Sequence, residues 1–292
     1  MSPWILAARP KTLPAAVMPV VLGCALADRA GAFEAIPAGL CLLFALLIQI
    51  GTNYANDYYD GIKGTDTDKR IGPQRAVATG LVTPASMKAG TVIVLGLAFL
   101  VGLALIPYGG WWLLGVGIAS LICAVAYTGG PYPLGYHGWG DVFVIIFFGF
   151  IAVGFTYYVQ AKSFSGAAWL AGLGMGLVVN NILIVNNYRD IDEDRISGKR
   201  TIVVRFGRPF AYGVYIGSYI VALIIPAILA ALGMIAWWAC LIVPVAMLPT
   251  VILNSYLIKK SRTAPEYGKT LAQTAKAVIF YGIAFSLTLV LG

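Results

Sequence analysis

Two clusters of amide and carboxylate side chains are the residues of this sequence best suited to chemistry. They are Asn53-x-x-Asn56-Asp57-x-x-Asp60 and Asn186-Asn187-x-x-Asp190-x-x-x-Asp194, about 130 residues apart. Residues spaced by three, four or seven positions share one face of a helix. The spacing therefore predicts one helix face with Asn53, Asp57 and Asp60, and another with Asn187, Asp190 and Asp194.

Carboxylate and amide oxygens are typical ligands of a hard divalent cation. The chain has one histidine and no closely paired cysteines, which argues against zinc, copper or iron. Mg²⁺ is usually held by one or two carboxylates together with water and substrate phosphate oxygens. Because a basic loop follows each cluster, we expect Mg²⁺ to bridge the protein to a diphosphate whose remaining charge is neutralised by Lys and Arg. The predicted metal ligands are Asn53, Asn56, Asp57, Asp60, Asn187, Asp190 and Asp194, and the predicted diphosphate contacts are Lys63, Arg70, Arg75, Lys199 and Arg200.

A second interpretation is that these charges form an ordinary solvated face at the ends of helices. Both interpretations stay open for Asp66, Asp68, Asp192 and Glu193. For the residues that share a helix face, the same spacing occurs twice, beside amides that lie inside apolar segments. Such amides are costly in a membrane unless they have partners, so the spacing favours a functional site.

The helices that position these clusters are predicted to cross a membrane. Hydrophobic residues make up 60% of the 292 residues and charged residues only 11%, far fewer charges than soluble domains carry. Runs of about 20 apolar residues predict transmembrane helices, because only helices and closed barrels satisfy the backbone in lipid. Nine such runs occur, at about 13–30, 36–58, 86–107, 111–128, 141–160, 166–188, 209–232, 235–257 and 271–291. Residues 2–12, with Trp4, are expected to form an interfacial lead-in.

The loop charges predict the orientation of these spans. With the N-terminus in the cytoplasm, 18 of the 20 Lys and Arg residues fall inside, and only Arg29 and Lys162 fall outside. Ten of the 12 acidic residues also fall inside, an asymmetry that the charge rule does not require. We therefore expect an all-α protein with nine transmembrane helices around one central cavity, with the C-terminus outside. The chain is predicted to be one domain, 1–292, made of two pseudo-repeats, about 1–140 and 141–292.

Net charge, motifs and the positions of charged residues argue against several other classes of function. The net charge of +8 is better explained by cytoplasmic loops than by binding to nucleic acid. Neither a P-loop nor a dinucleotide-binding glycine motif is found, which argues against nucleotide chemistry. A secondary transporter would also contain repeated halves and intramembrane polar residues, but its charges would lie near the bilayer midplane.

Four further motifs make the sequence similar to a known family. They are Ala8-Arg9-Pro10-Lys11-Thr12-Leu13-Pro14, Asn56-Asp57-x-x-Asp60-Gly-Ile-Lys63-Gly64-Thr65-Asp66, Arg70-Ile-Gly72-Pro73-Gln-Arg75, and Asp190-Ile-Asp192-Glu-Asp194-Arg195 through Thr201. With these, the chain resembles the UbiA superfamily of intramembrane aromatic prenyltransferases, and within it the 1,4-dihydroxy-2-naphthoate branch. Tyr127-Thr-Gly-Gly-Pro-Tyr-Pro-Leu-Gly135-Tyr136 also resembles that branch, whereas many other members have a lysine after the tyrosine.

The resemblance implies Mg²⁺-dependent transfer of a prenyl group from its diphosphate to a small aromatic acceptor at the inner cell membrane. It implies that Asp57, Asp60, Asp190 and Asp194 act in catalysis through metal. Tyr127 is the aromatic residue that we expect beside the allylic cation, and Arg9 or Lys11 is expected to hold an acceptor carboxylate. Homogentisate and 4-hydroxybenzoate remain alternative acceptors, and prenyl chain length and oligomeric state stay open.

Overall fold

The computed structural model describes residues 2–64 and 75–292, and within these ranges the chain is helical without any strand. The predicted all-α fold is therefore confirmed. The helices are α1 (Pro3–Ala8), α2 (Pro14–Arg29), α3 (Ala35–Ile62), α4 (Pro84–Ala104), α5 (Leu113–Ala126), α6 (Gly140–Ala161), α7 (Gly166–Arg189), α8 (Ile191–Ile196), α9 (Ile202–Ala231), α10 (Ile242–Lys260) and α11 (Ala264–Leu291).

Seven helices in the described ranges are long and apolar enough to cross a bilayer individually. They are α3, α4, α6, α7, α9, α10 with its preceding turn, and α11. The lead-in Pro3–Thr12 and α2 meet at an angle of 48°. If the two are counted together as one span, the number of possible spans rises to eight. With 14 residues, α5 is shorter than a typical span. The count of nine crossings and the orientation of the termini stay predictions.

Glycines bring α6 and α7 into close contact beside the central cavity. A Cβ atom on Gly176 would lie 2.8 Å from the carbonyl oxygen of Ile145, and one on Gly172 would lie 3.0 Å from that of Gly149. Small residues allow this approach between transmembrane helices. The facing part of α6, Ile145–Ile151, is π-helical.

The lead-in docks onto α3 rather than extending away from the bundle. The Tyr54 hydroxyl donates a hydrogen bond to the Trp4 carbonyl at 3.2 Å, and the two rings meet edge to face at 5.5 Å. The backbone then turns at Arg9, which has a left-handed conformation with φ of 52°. This turn lets the chain enter α2 with Arg9 in the wall of the central cavity.

Candidate active site

The first acidic motif lies on one buried face at the end of α3. Asn53, Asp57 and Asp60 are 4%, 1% and 2% exposed, so their predicted common face is confirmed. The Asn53 amide donates a hydrogen bond to the Ala8 carbonyl at 2.9 Å. The motif is thereby tied directly to the lead-in that carries Arg9.

Asp57 anchors the segment before α4 that contains Ala76 and Val77. Its two carboxylate oxygens accept hydrogen bonds from the backbone amides of Ala76 at 3.0 Å and Val77 at 2.9 Å. A buried carboxylate needs such donors because burial without partners is costly. Asp57 therefore has a structural task in addition to any contact with a ligand.

Asp60 forms a buried ion pair with Arg75. The guanidinium Nη2 lies 3.0 Å from Asp60 Oδ2, and both side chains are at least nine-tenths buried. The Tyr136 hydroxyl donates to the other carboxylate oxygen, Oδ1, at 2.8 Å. The carboxylate thus has a donor on each oxygen, as a buried charge requires.

The second acidic motif does not lie on one continuous helix, which corrects the predicted arrangement of Asn187, Asp190 and Asp194. The helix α7 ends at Arg189, and Asp190 forms the junction before α8, which carries Asp194. A bidentate ion pair lies at this break: Arg189 Nε and Nη2 are 2.5 and 2.7 Å from the Asp190 carboxylate oxygens. The acidic residues that follow then occupy the first turn of α8, where the helix dipole favours negative charge.

Asp194 is buried beside Lys199. The Lys199 Nζ lies 3.6 Å from Asp194 Oδ1. Burial raises the pKa of the Asp194 carboxyl to about 6, whereas Lys199 lowers it and Asp190 raises it further. The second motif therefore contains a carboxylate that would be stabilised by additional positive charge.

Tyr136 brings the two motifs together. While its hydroxyl contacts Asp60, its ring centroid lies 4.6 Å from Lys63 Nζ and 4.8 Å from Lys199 Nζ. Its carbonyl accepts a hydrogen bond from the Arg200 backbone amide at 2.7 Å. One residue thus contacts the end of α3 and the loop after α8, which places the two motifs at one end of the bundle.

A cavity of about 310 Å³ adjoins this end. Its polar wall contains Arg9, Asn53, Asn56, Tyr127 and Asn186. The rest of the wall is mainly apolar and aromatic, and includes Phe44, Phe143, Phe147, Phe148, Ile151 and Phe155. The cavity therefore has a polar end next to both acidic motifs and a mainly apolar, aromatic interior.

Comparison with known proteins identifies the family. The sequence model of the UbiA prenyltransferase family matches residues 16–276. The chain belongs to this family. A UbiA homolog from Archaeoglobus fulgidus bound to DMAPP and Mg²⁺ has a TM-score of 0.68 to the chain at 14% identity, with 97% of this chain and 99% of that chain covered. At this identity the likeness shows a shared fold.

Curated relatives of this UbiA-family chain are similar over nearly its whole length. The 1,4-dihydroxy-2-naphthoate octaprenyltransferase of Haemophilus influenzae is 35% identical, over 99% of this chain and 96% of that protein. The protein of the same name from Mycobacterium tuberculosis is 36% identical, over 99% and 97%. The chain is therefore an enzyme, a membrane prenyltransferase, as its sequence motifs indicate.

The other predicted site residues of this UbiA-family enzyme differ in whether they line the cavity, are buried elsewhere or are exposed. Lys11 and the Arg200 side chain are exposed, whereas Arg9 lines the cavity. Asn186 is in the cavity wall, and its neighbour Asn187 is buried. Arg70, Asp66 and Asp68 lie outside the described residues.

Sequence reasoning assigned no role to four residues that make polar contacts in this region, Thr128, Tyr136, Asp141 and Asn180. Thr128 donates a hydrogen bond to Asn56 Oδ1 at 2.8 Å, and Asn180 donates to Asp141 Oδ1 at 3.1 Å. A carboxylate such as Asp141 at the start of a long apolar segment is itself a signal of function. Tyr136 and Thr128 lie in the Tyr127–Tyr136 motif, but their partners are more than 60 residues away, so the motif did not reveal these contacts.

Proposed function

We propose that the enzyme transfers a polyprenyl group from polyprenyl diphosphate to 1,4-dihydroxy-2-naphthoate, with Mg²⁺ as cofactor. Diphosphate and CO₂ are released, and the product is demethylmenaquinol. The names of the full-length relatives support this acceptor. Homogentisate and 4-hydroxybenzoate are the alternative acceptors, and transport is the alternative function.

One observation carries the proposal: the polar end of a mainly apolar cavity adjoins both acidic motifs. A prenyl diphosphate has the same division, with a highly charged head and a hydrocarbon tail. Basic side chains near the head, Lys63 and Lys199, match its negative charge. The apolar walls match the tail, because apolar surfaces bind hydrocarbon by excluding water.

The donor set fits Mg²⁺ that is held jointly by protein and substrate. In residues 2–64 and 75–292, no three Asp, Glu, His or Cys side chains form a ready metal cluster. Instead, the carboxylates of Asp57, Asp60, Asp190 and Asp194 have hydrogen-bond or ion-pair partners in the protein. Mg²⁺ prefers few protein carboxylates together with water and phosphate oxygens. These four aspartates, with Asn53, Asn56 and Asn187, are the residues that would hold it.

The polar end of the cavity assists the departure of the diphosphate. The allylic C–O bond breaks and the diphosphate keeps the electron pair. Bound Mg²⁺ would neutralise the charge that develops on this leaving group. Lys63, Lys199 and Arg75 add fixed positive charge at the same end, and preorganised charge of this kind lowers the barrier in a site that excludes water.

The apolar part of the cavity protects the allylic cation and presents the acceptor ring. Tyr127, Phe147 and Phe148 line the cavity, and aromatic rings attract cations through their π electrons. Arg9, which lines the cavity, would bind the acceptor carboxylate. A new C–C bond forms at the ring carbon that bears this carboxylate, and loss of CO₂ restores aromaticity without a protein base.

The product of the purified enzyme tests this function. The purified enzyme is incubated with 1,4-dihydroxy-2-naphthoate and one defined polyprenyl diphosphate. The product should have the mass of the prenyl group plus that of the naphthoate, less CO₂. Turnover should stop with EDTA and return with Mg²⁺. A panel with homogentisate and 4-hydroxybenzoate identifies the preferred acceptor, and absence of diphosphate release with every acceptor would support transport instead.

The proposal also covers the membrane in which the enzyme lies and its orientation there. We place it in the inner cell membrane as a multi-pass protein with the N-terminus and the acidic motifs on the cytoplasmic side. Charged substrates made in the cytoplasm would then reach the polar end of the cavity directly. Cysteine labelling from each side of the membrane, at Lys11 and at Lys162, tests this orientation.

A further inference from the structure

Tyr136 makes three kinds of contact that converge on the two acidic motifs. Its hydroxyl donates to Asp60, its ring is next to two ammonium groups, and its carbonyl binds the Arg200 amide. The two ammonium groups belong to Lys63 after α3 and Lys199 after α8. Residues from both halves of the chain are therefore organised around one side chain.

The position of the two lysines requires an explanation, because like charges near each other repel. Lys63 also donates a hydrogen bond to the Thr128 carbonyl at 2.8 Å, and Lys199 is paired with Asp194. The π electrons of the Tyr136 ring attract both cations and offset part of the repulsion. Burial lowers the pKa of Lys63, Asp60 raises it and Lys199 lowers it. An anion that contacts both ammonium groups would remove the remaining repulsion.

We propose that Tyr136 is a positioning residue that holds Lys63 and Lys199 together as a paired contact for the substrate diphosphate, and that orients Asp60 through its hydroxyl. The inference rests on the proposed function, because diphosphate is the ligand that the lysines would share. Tyr136 acts through these three residues and takes no part in bond making. Its ring and its hydroxyl have separable tasks, the ring for the lysines and the hydroxyl for Asp60.

Two substitutions separate these tasks. Tyr136→Phe keeps the ring and removes the donor to Asp60, whereas Tyr136→Leu removes both. Tyr132→Leu is the matched control, because Tyr132 lies in the same loop, is 54% exposed and stacks on His137 instead. Each variant is purified in detergent, its thermal unfolding is recorded, and its binding of inorganic diphosphate in the presence of Mg²⁺ is measured by calorimetry. This binding needs neither acceptor nor turnover.

For Tyr136→Phe we expect diphosphate affinity within about twofold of wild type and a kcat lower by about tenfold, the size of one hydrogen bond to a charged group. For Tyr136→Leu we expect the affinity for diphosphate to fall about tenfold as well, because two cation–π contacts are lost. The KM of the acceptor should stay at the wild-type value in both variants, a selectivity that a merely structural role would not produce. Tyr132→Leu should match wild type in every measurement.

The proposal is overturned if Tyr136→Leu binds diphosphate as wild type does, or if Tyr132→Leu weakens this binding equally. It is also overturned if the KM values of donor and acceptor rise together. Should Tyr136→Leu fail to fold, an unchanged kcat in Tyr136→Phe would still contradict the role of the hydroxyl. A wrong acceptor assignment would leave the diphosphate-binding results unaffected, so the two failures are distinguishable.

Discussion

The Tyr136 hydroxyl lies 2.8 Å from Asp60 Oδ1, although 76 positions separate the two residues in sequence. This hydrogen bond joins the loop after α5 to the end of α3. Because the same tyrosine binds the Arg200 amide through its carbonyl, the loop also joins the second acidic motif. The geometry of the polar end therefore depends on contacts between segments that are distant in sequence.

Removing Asp60 should destabilise the protein as well as inactivate it. Asp60→Ala removes the carboxylate of the buried ion pair with Arg75, and breaking such a pair costs about 3–5 kcal/mol. Thermal unfolding in detergent, measured with turnover, checks this. Asp192→Ala is the control, since Asp192 is 76% exposed and pairs with exposed Arg195. Equal unfolding temperatures for the two variants would contradict the stabilising role of the Asp60–Arg75 pair.

Asp57→Ala and Asp190→Ala should both abolish turnover while the protein remains folded and inserted. Only Asp57 accepts hydrogen bonds from the Ala76 and Val77 amides. Hydrogen exchange at these two amides should therefore accelerate in Asp57→Ala and stay unchanged in Asp190→Ala. Activity retained in both variants would count against the metal assignment, and unchanged exchange in Asp57→Ala against the anchoring role.

Arg9 should bind the acceptor, and Lys11 should not. Arg9→Met is expected to lower kcat/KM for 1,4-dihydroxy-2-naphthoate about 10- to 100-fold, the range for one charged hydrogen bond. The KM for the prenyl diphosphate should change little. Lys11→Met is the matched control, because Lys11 is exposed two positions away. A larger effect at Lys11 than at Arg9 would reverse this assignment.

The length of prenyl chain that the cavity accepts should change when its wall is filled at α5. Gly117 lines the cavity and has no atom within 4 Å of an added Cβ, so Gly117→Leu would occupy space now open to the tail. We expect lower turnover with long donors and little change with short ones, measured as product masses from a mixture of donors. Gly115 on the same helix is exposed and equally uncrowded, so Gly115→Leu should leave the product distribution unchanged. Identical products from both variants would show that the tail does not pass Gly117.

Local sequence patterns were enough to predict the helical membrane architecture and the chemical types of the polar groups. Apolar runs of spanning length dictate helices because the backbone must satisfy its own hydrogen bonds in lipid. Helical periodicity likewise placed Asn53, Asp57 and Asp60 on one face, and their burial agrees. Such features depend on neighbouring residues alone, so local patterns are sufficient to predict them.

Which of the candidate residues lie close together could be seen only in the tertiary structure. It placed Arg9 in the cavity wall but left Lys11 exposed, and it ended α7 at Arg189, where the sequence pattern predicted a continuous helix through Asp194. It also brought Tyr136 to Asp60 and to the lysines of both motifs. These outcomes depend on how helices pack and on ion pairs formed at their ends. Helix packing is set by contacts between distant segments, which the spacing of residues along the chain does not encode.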